Sequence, residues 1–198
     1  MKKAVHVIFL LIVCVFFVNN QAKSQYVKEK KTTRILFIFD ASNSMNGKWE
    51  SDKKITIARR LLSELVDSLE KIEGTQLALR VYGHQFKVPP QVCTDSKLEV
   101  PFAWNNAPKI REKLNEIEPK GTTPIAYSLE LSGNDFPPCK NCKNVIVLIT
   151  DGIEACEGDP CAIALMLQRK GISLKPYVIG IGLDIETKKA FECVGKIL

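Results

Sequence analysis

The stretch ILFIFDASNSM, residues 35–45, decides how this chain folds. Ile35 to Phe39 run without a polar interruption, the pattern of a strand buried on both faces rather than one with a wet side. The run ends on Asp40 and then sets Ser42 and Ser44 at alternate positions. A strand covered on both sides predicts a parallel sheet between helix layers, and such sheets bind ligands at the carboxyl ends of their strands. Asp40, Ser42 and Ser44 are therefore candidates for a site at that rim.

The chain downstream repeats the alternation. SDKKITIARRLLSELVDSLEKIEG (51–74) places Ile57, Leu61, Leu62, Leu65, Val66 and Leu69 on one helical face, with Ser51 or Asp52 as cap and Gly74 as stop. TQLALRVYG and KLEVPF read as strands, APKIREKLNEIE as a helix with Pro108 in its first turn, and TPIAYSLELSG as another helix. NVIVLITDG is a central buried strand, DPCAIALMLQRKG a helix and LKPYVIGIG a strand, and the amphipathic ETKKAFECVGKIL is expected to stay helical to Leu198. Strands alternating with helices predict an α/β, Rossmann-like three-layer sandwich: a mostly parallel central sheet with helices on both faces.

Ahead of this domain, MKK, AVHVIFLLIVCVFFV and NNQAKSQ follow the basic, apolar, small-residue order of a secretory signal. Residues 1–24 read as a signal peptide, 25–33 as a polar leader and 34–198 as the domain. The apolar run falls short of the roughly 20 residues of a spanning helix, so a membrane is involved only if the segment is retained. Removing residues 1–24 takes three lysines and no acid, lowering the formal charge from +6 to +3. Much of the remaining basicity is KEKK at 28–31; with no basic face and no nucleic-acid motif, nucleic acid is excluded as a partner. The expected location is periplasm, cell surface or medium.

Six cysteines remain once Cys14 leaves with the signal. An even number in an exported chain favours disulfides. The favoured pairing is Cys93–Cys156, Cys161–Cys193 and Cys139–Cys142, with Cys156–Cys161 as a local competitor. CKNC (139–142) precedes the central strand, which puts it at the opposite end of the sheet from Asp151. It lacks the strand-to-helix setting of a thioredoxin-like motif and the further ligands of a zinc site.

Asp40 and Asp151 both end apolar strands, and if those strands are neighbours the two carboxylates emerge together beside Ser42 and Ser44. The GTTP turn (121–124) adds a threonine. Oxygen-only ligands with two carboxylates suit a hard divalent cation, Mg²⁺ first with Mn²⁺ and Ca²⁺ as alternatives, rather than zinc. In this order the residues resemble the von Willebrand factor A domain. Its metal-ion-dependent adhesion motif is Asp-x-Ser-x-Ser after the first strand, a threonine in a later turn and an aspartate after the central strand. Asp40, Ser42 and Ser44 match the first part and Asp151 in ITDG the last; KGTTPIAYSL, similar to the bacterial Gly-x-Thr-Pro form, selects Thr123, with Thr122 beside it as the alternative.

The resemblance covers residues 34–198. It implies a cation held by the hydroxyls of Ser42, Ser44 and Thr123, with Asp40 and Asp151 acting directly or through water, and one position open for an acidic group of a protein partner. It also implies a further edge strand and final helix, which a helix running to Leu198 leaves out. The expected function is metal-dependent protein binding without enzymatic activity, since no acid–base pair, His-activated nucleophile or phosphate loop is present. Two other classes stand beside it. A hydrolase or phosphotransferase would use Asp40 as nucleophile, but Ser42 occupies the place of its usual second aspartate; a redox protein would use Cys139 and Cys142. His84 is read as structural, and Asp95, Glu154 and Glu157 as solvated acids.

Overall fold

The computed structural model describes residues 31–170, 177–194 and 196–197. The signal segment, nearly all of the polar leader and the start of LKPYVIGIG lie outside them. Strand β1 (Thr32–Asp40) is the centre of a six-stranded sheet, with β4 (Thr75–Tyr82) and then β5 (Ser96–Ala103) on one side. On the other side lie β6 (Cys142–Thr150), β7 (Tyr177–Gly180) and β8 (Lys196–Ile197). All neighbours are parallel except β4 and β5. This is the mostly parallel α/β sandwich that the apolar runs predict.

Period-two alternation along β1 divides the core. Ile35, Phe37 and Phe39 pack with Ile55, Ala58, Leu62 and Val66 of α1 (Lys54–Glu70) and with Ile110 and Leu114 of α2 (Ala107–Glu116). Leu36 and Ile38 point the other way. They meet Ile125 and Leu129 of α3 (Ile125–Ser132), Ala164 and Leu167 of α4 (Pro160–Arg169) and Phe191 of α5 (Ile185–Phe191). Both faces of β1 are thus dry, which is why its sequence shows no polar interruption. On the second face Arg80 is buried but forks onto Asp135, with Nε–Oδ2 and Nη2–Oδ1 both 2.7 Å, the planar geometry that satisfies a buried guanidinium.

Strand β5 is irregular. Its register against β4 slips between Leu77 and Leu79 and again between Leu79 and Arg80, and Pro101 lies within it.

Four local expectations are corrected. Leu61, placed on the buried helical face, is 40% exposed, because the stripe that faces the sheet runs through Ile55, Ala58, Leu62 and Val66. Neither Ser51 nor Asp52 caps α1: Lys48–Trp49 and Asp52–Lys53 pair as a small antiparallel ladder, β2 and β3, around Glu50 at φ 54°. The helix therefore starts only at Lys54, whose N–H bonds to Gly47 O at 2.9 Å. Gly74 does not stop it either; α1 ends at Glu70, and Gly74, at φ +80°, turns the chain into β4. The last helix stops at Phe191 rather than continuing, and Lys196–Ile197 pair with Tyr177–Val178 of β7.

Three disulfides join Cys93 to Cys156, Cys139 to Cys142 and Cys161 to Cys193, the pairs favoured from the sequence. Cys142 opens β6 and Asp151 follows its far end, so the nine-residue strand holds the CKNC disulfide about 30 Å from the carboxyl rim.

Candidate metal centre

Strands β1 and β6 are neighbours, so Asp40 and Asp151 leave the sheet side by side. Asp40 is fully buried. Its Oδ1 accepts the Ser42 N–H at 2.8 Å and its Oδ2 accepts the Thr150 hydroxyl at 2.8 Å. Burial, and then the negative charge of Asp151, push the Asp40 carboxyl from its ordinary 3.8 to about 6 against these hydrogen bonds. Tyr82 donates to Thr150 Oγ1 at 3.1 Å, and burial followed by the nearby Asp40 charge pushes its phenol well up. A carboxylate so placed is cut off from bulk solvent and relies on the Ser42 N–H and the Thr150 hydroxyl to stabilise its charge.

Beyond Asp40 the chain makes a 3₁₀ turn, Asn43–Asn46, pinned by Met45, which is fully buried in the core. This turn lays the serines in a row: Ser42 Oγ is 2.9 Å from Ser44 Oγ, and Ser44 Oγ donates to Asp151 Oδ1 at 2.7 Å. Adjacent oxygens around Mg²⁺, at about 2.1 Å from the ion, lie about 3 Å apart, so these three oxygens already hold the spacing of neighbouring ligands. Among the described residues no group of three or more His, Cys, Asp or Glu is arranged for a metal. A cation at this rim would depend on hydroxyls as well as carboxylates, and the residues present fit a hard ion.

The threonine turn is drawn in through backbone contacts. Asn43 N–H donates to Gly121 O at 2.9 Å, and Gly121 N–H donates to Gly83 O at 2.8 Å. Gly83 sits at φ +71°, and a Cβ there would lie 2.6 Å from Thr122 O and 2.7 Å from Ser42 N, so only glycine lets the loops close this tightly. Of the two adjacent threonines, the buried Thr122 uses its hydroxyl to accept the Val92 N–H at 3.3 Å. Thr123 is half-buried, its carbonyl accepts from Ala155, and its hydroxyl makes no hydrogen bond among the described residues. That leaves Thr123 free to ligate and Thr122 committed to structure. The Cys93–Cys156 disulfide and the Gln91 amide, which donates to Ala155 O, tie the neighbouring loops together.

Two acids read as solvated are not. Asp95 is fully buried and accepts from Gln85 N, Phe86 N and the Gln85 side-chain amide at 2.9–3.2 Å. Glu154 accepts Ala126 N at 2.6 Å and Cys156 N at 2.7 Å, closing the N-terminal turn of α3 where a carboxylate is favoured. Glu157 is exposed. His84 pairs through Nε2 with Glu99 Oε1 at 2.9 Å, while its buried Nδ1 has no hydrogen-bond partner. It stands apart from the oxygen cluster.

Sequence reasoning missed Lys54. This first residue of α1 sends its ammonium to Asp151 Oδ2 at 2.8 Å, with the lysine side chain 20% exposed and the aspartate side chain fully enclosed. A lysine opening a helix beside a polar loop reads as solvated; only the β2–β3 ladder, invisible in the pattern, aims it at the rim.

The profile of the von Willebrand factor type A domain matches residues 35–154. The uncharacterized protein YwmD of Bacillus subtilis (strain 168) is 32% identical over 171 residues, 83% of this chain and 75% of its own length. Among solved structures, an aerotolerance-related membrane protein from Bacteroides fragilis superposes with a TM-score of 0.66 at 23% identity, over 84% of this chain and 90% of that one. Proximal thread matrix protein 1 from the mussel byssus, in a structure with a zinc-occupied MIDAS motif, superposes at 0.62 with 19% identity, over 84% of this chain and 40% of its own. At these identities the two structures speak to the fold, whereas the profile and the Bacillus relative speak to descent: this chain belongs to the von Willebrand factor type A domain family.

Proposed function

We propose that this protein is an exported binding domain that holds a divalent cation at Asp40, Ser42, Ser44, Thr123 and Asp151 and uses it to capture a carboxylate of a protein partner. The observation that carries the reading is the row Ser42 Oγ, Ser44 Oγ and Asp151 Oδ1, spaced at 2.9 and 2.7 Å beside a buried Asp40. Two carboxylates and three hydroxyls supply five ligands to an ion that takes six, and an external carboxylate completes the shell. Mg²⁺ is the proposed ion, with Mn²⁺ and Ca²⁺ as alternatives.

The role is binding rather than catalysis. Both oxygens of Asp40 are engaged, by Ser42 N and by Thr150 Oγ1, which disfavours it as a nucleophile. The three disulfides and the N-terminal signal pattern support export.

Thermal denaturation in chelator and in millimolar Mg²⁺, Mn²⁺ or Ca²⁺ tests the reading. A ligand bound only by the native state stabilises it by about 2.7 kcal/mol at a hundredfold excess over Kd. The wild type should melt higher with at least one of these ions, and Ser44→Ala should lose most of the gain. Superimposable wild-type curves with and without every ion would refute the proposal.

A further inference from the structure

We infer that Lys54 sets the charge of the cation-loaded site, weakening its hold on the metal and strengthening its hold on the partner's carboxylate. The inference rests on the adhesion-site reading above and names a residue that the motif does not contain.

The position of Lys54 is built rather than incidental. The β2–β3 ladder delays the start of α1 to this residue, and its backbone N–H is held by Gly47 O at 2.9 Å. Its stem crosses the serine loop, where a Cβ on Gly47 would lie 3.9 Å from Lys54 Cε. The ammonium then ends 2.8 Å from Asp151 Oδ2, while Oδ1 of the same carboxylate receives Ser44. The Lys54 side chain is 20% exposed, while the Asp151 carboxylate it meets is fully enclosed.

The charges decide the consequence. Two carboxylates neutralise a dication completely, and three hydroxyls add nothing. With the Lys54 ammonium 2.8 Å from Asp151 Oδ2, the loaded site would keep one unit of positive charge beside a carboxylate that holds the ion. Over a few ångströms, with an effective dielectric near 20, one unit charge is worth at least about tenfold in a binding constant. It opposes the entering dication and attracts the entering carboxylate. In the metal-free protein the same ammonium compensates Asp151, so the serine row stays assembled.

Lys54→Met keeps the length of the stem and removes the charge; Lys54→Gln does the same with a polar end. Mn²⁺ affinity is read from the electron paramagnetic resonance signal of free Mn²⁺, and acetate affinity for the Mn²⁺-loaded protein from calorimetry, with circular dichroism confirming the fold. Both variants should bind Mn²⁺ at least about tenfold more tightly than wild type, and their loaded forms should bind acetate more weakly. Mn²⁺ affinity equal to or below wild type in both folded variants, or acetate affinity unchanged, would overturn the role of Lys54 and leave the adhesion site standing. A wild type that binds no Mn²⁺ would overturn both.

Discussion

Asp40→Asn separates a site residue from a folding residue. Asparagine keeps the shape of aspartate and one carbonyl oxygen to accept the Ser42 N–H, while the Thr150 hydroxyl can turn to Gly152 O, 3.1 Å away. The charge is lost, together with the Oδ2 acceptor that receives the Thr150 hydroxyl and, at 3.5 Å, the Asp151 N–H. Burial and the neighbouring Asp151 raise the Asp40 carboxyl from 3.8 to about 6, so the folded chain holds this proton more tightly than the unfolded one. Well below pH 4 the group is protonated in both states and favours neither. As pH rises from 4 through 6 the unfolded chain releases the proton first, and the metal-free protein loses up to about 3 kcal/mol. Asp40→Asn escapes this loss. In chelator at pH 7.5 the variant should be more stable than wild type by up to about 3 kcal/mol, a Tm gain of at most roughly 6–12 °C, with the gap closing toward pH 4. Adding Mg²⁺ should stabilise wild type and leave the variant unmoved. Urea denaturation at several pH values, with and without Mg²⁺, measures both effects. A variant less stable than wild type in chelator at pH 7.5, or one that retains the Mg²⁺ response, would refute the reasoning.

Gly83→Ala should destabilise the fold by about 2–4 kcal/mol and abolish Mn²⁺ binding, because its Cβ would strike the backbone of both Ser42 and Thr122 at a left-handed φ. Gly152→Ala, whose Cβ meets nothing within 4 Å, should change stability little; urea denaturation of the pair gives the comparison. Alkylation of the exported protein under denaturing, non-reducing conditions should label none of Cys93, Cys139, Cys142, Cys156, Cys161 and Cys193, and peptide mapping should recover the three pairs. A labelled thiol at any of these positions would contradict that pairing.

The architecture was legible where burial leaves a linear trace. β1 and β6 are dry on both sides, so their sequences are unbroken runs, and each run delivers its aspartate to the same rim. The β2–β3 ladder left no trace because Lys48, Trp49, Asp52 and Lys53 have no apolar alternation to show. Asp95 and Glu154 were misread for a related reason. Whether an acid is solvated depends on which backbone N–H groups approach it, and those of Gln85, Phe86 and Ala126 arrive through tertiary packing. Lys54 combines both blind spots, a helix start displaced by a pattern-free ladder and a partner 97 residues away.

The broken register of β5 bears on how this protein behaves among copies of itself. A flat outer strand offers its free N–H and C=O groups as a template on which a second chain can add. Here Pro101 supplies no N–H, and the register slips twice against β4, the kind of irregularity that locally bends and twists an outer strand. A strand from another molecule would find no continuous ladder to extend.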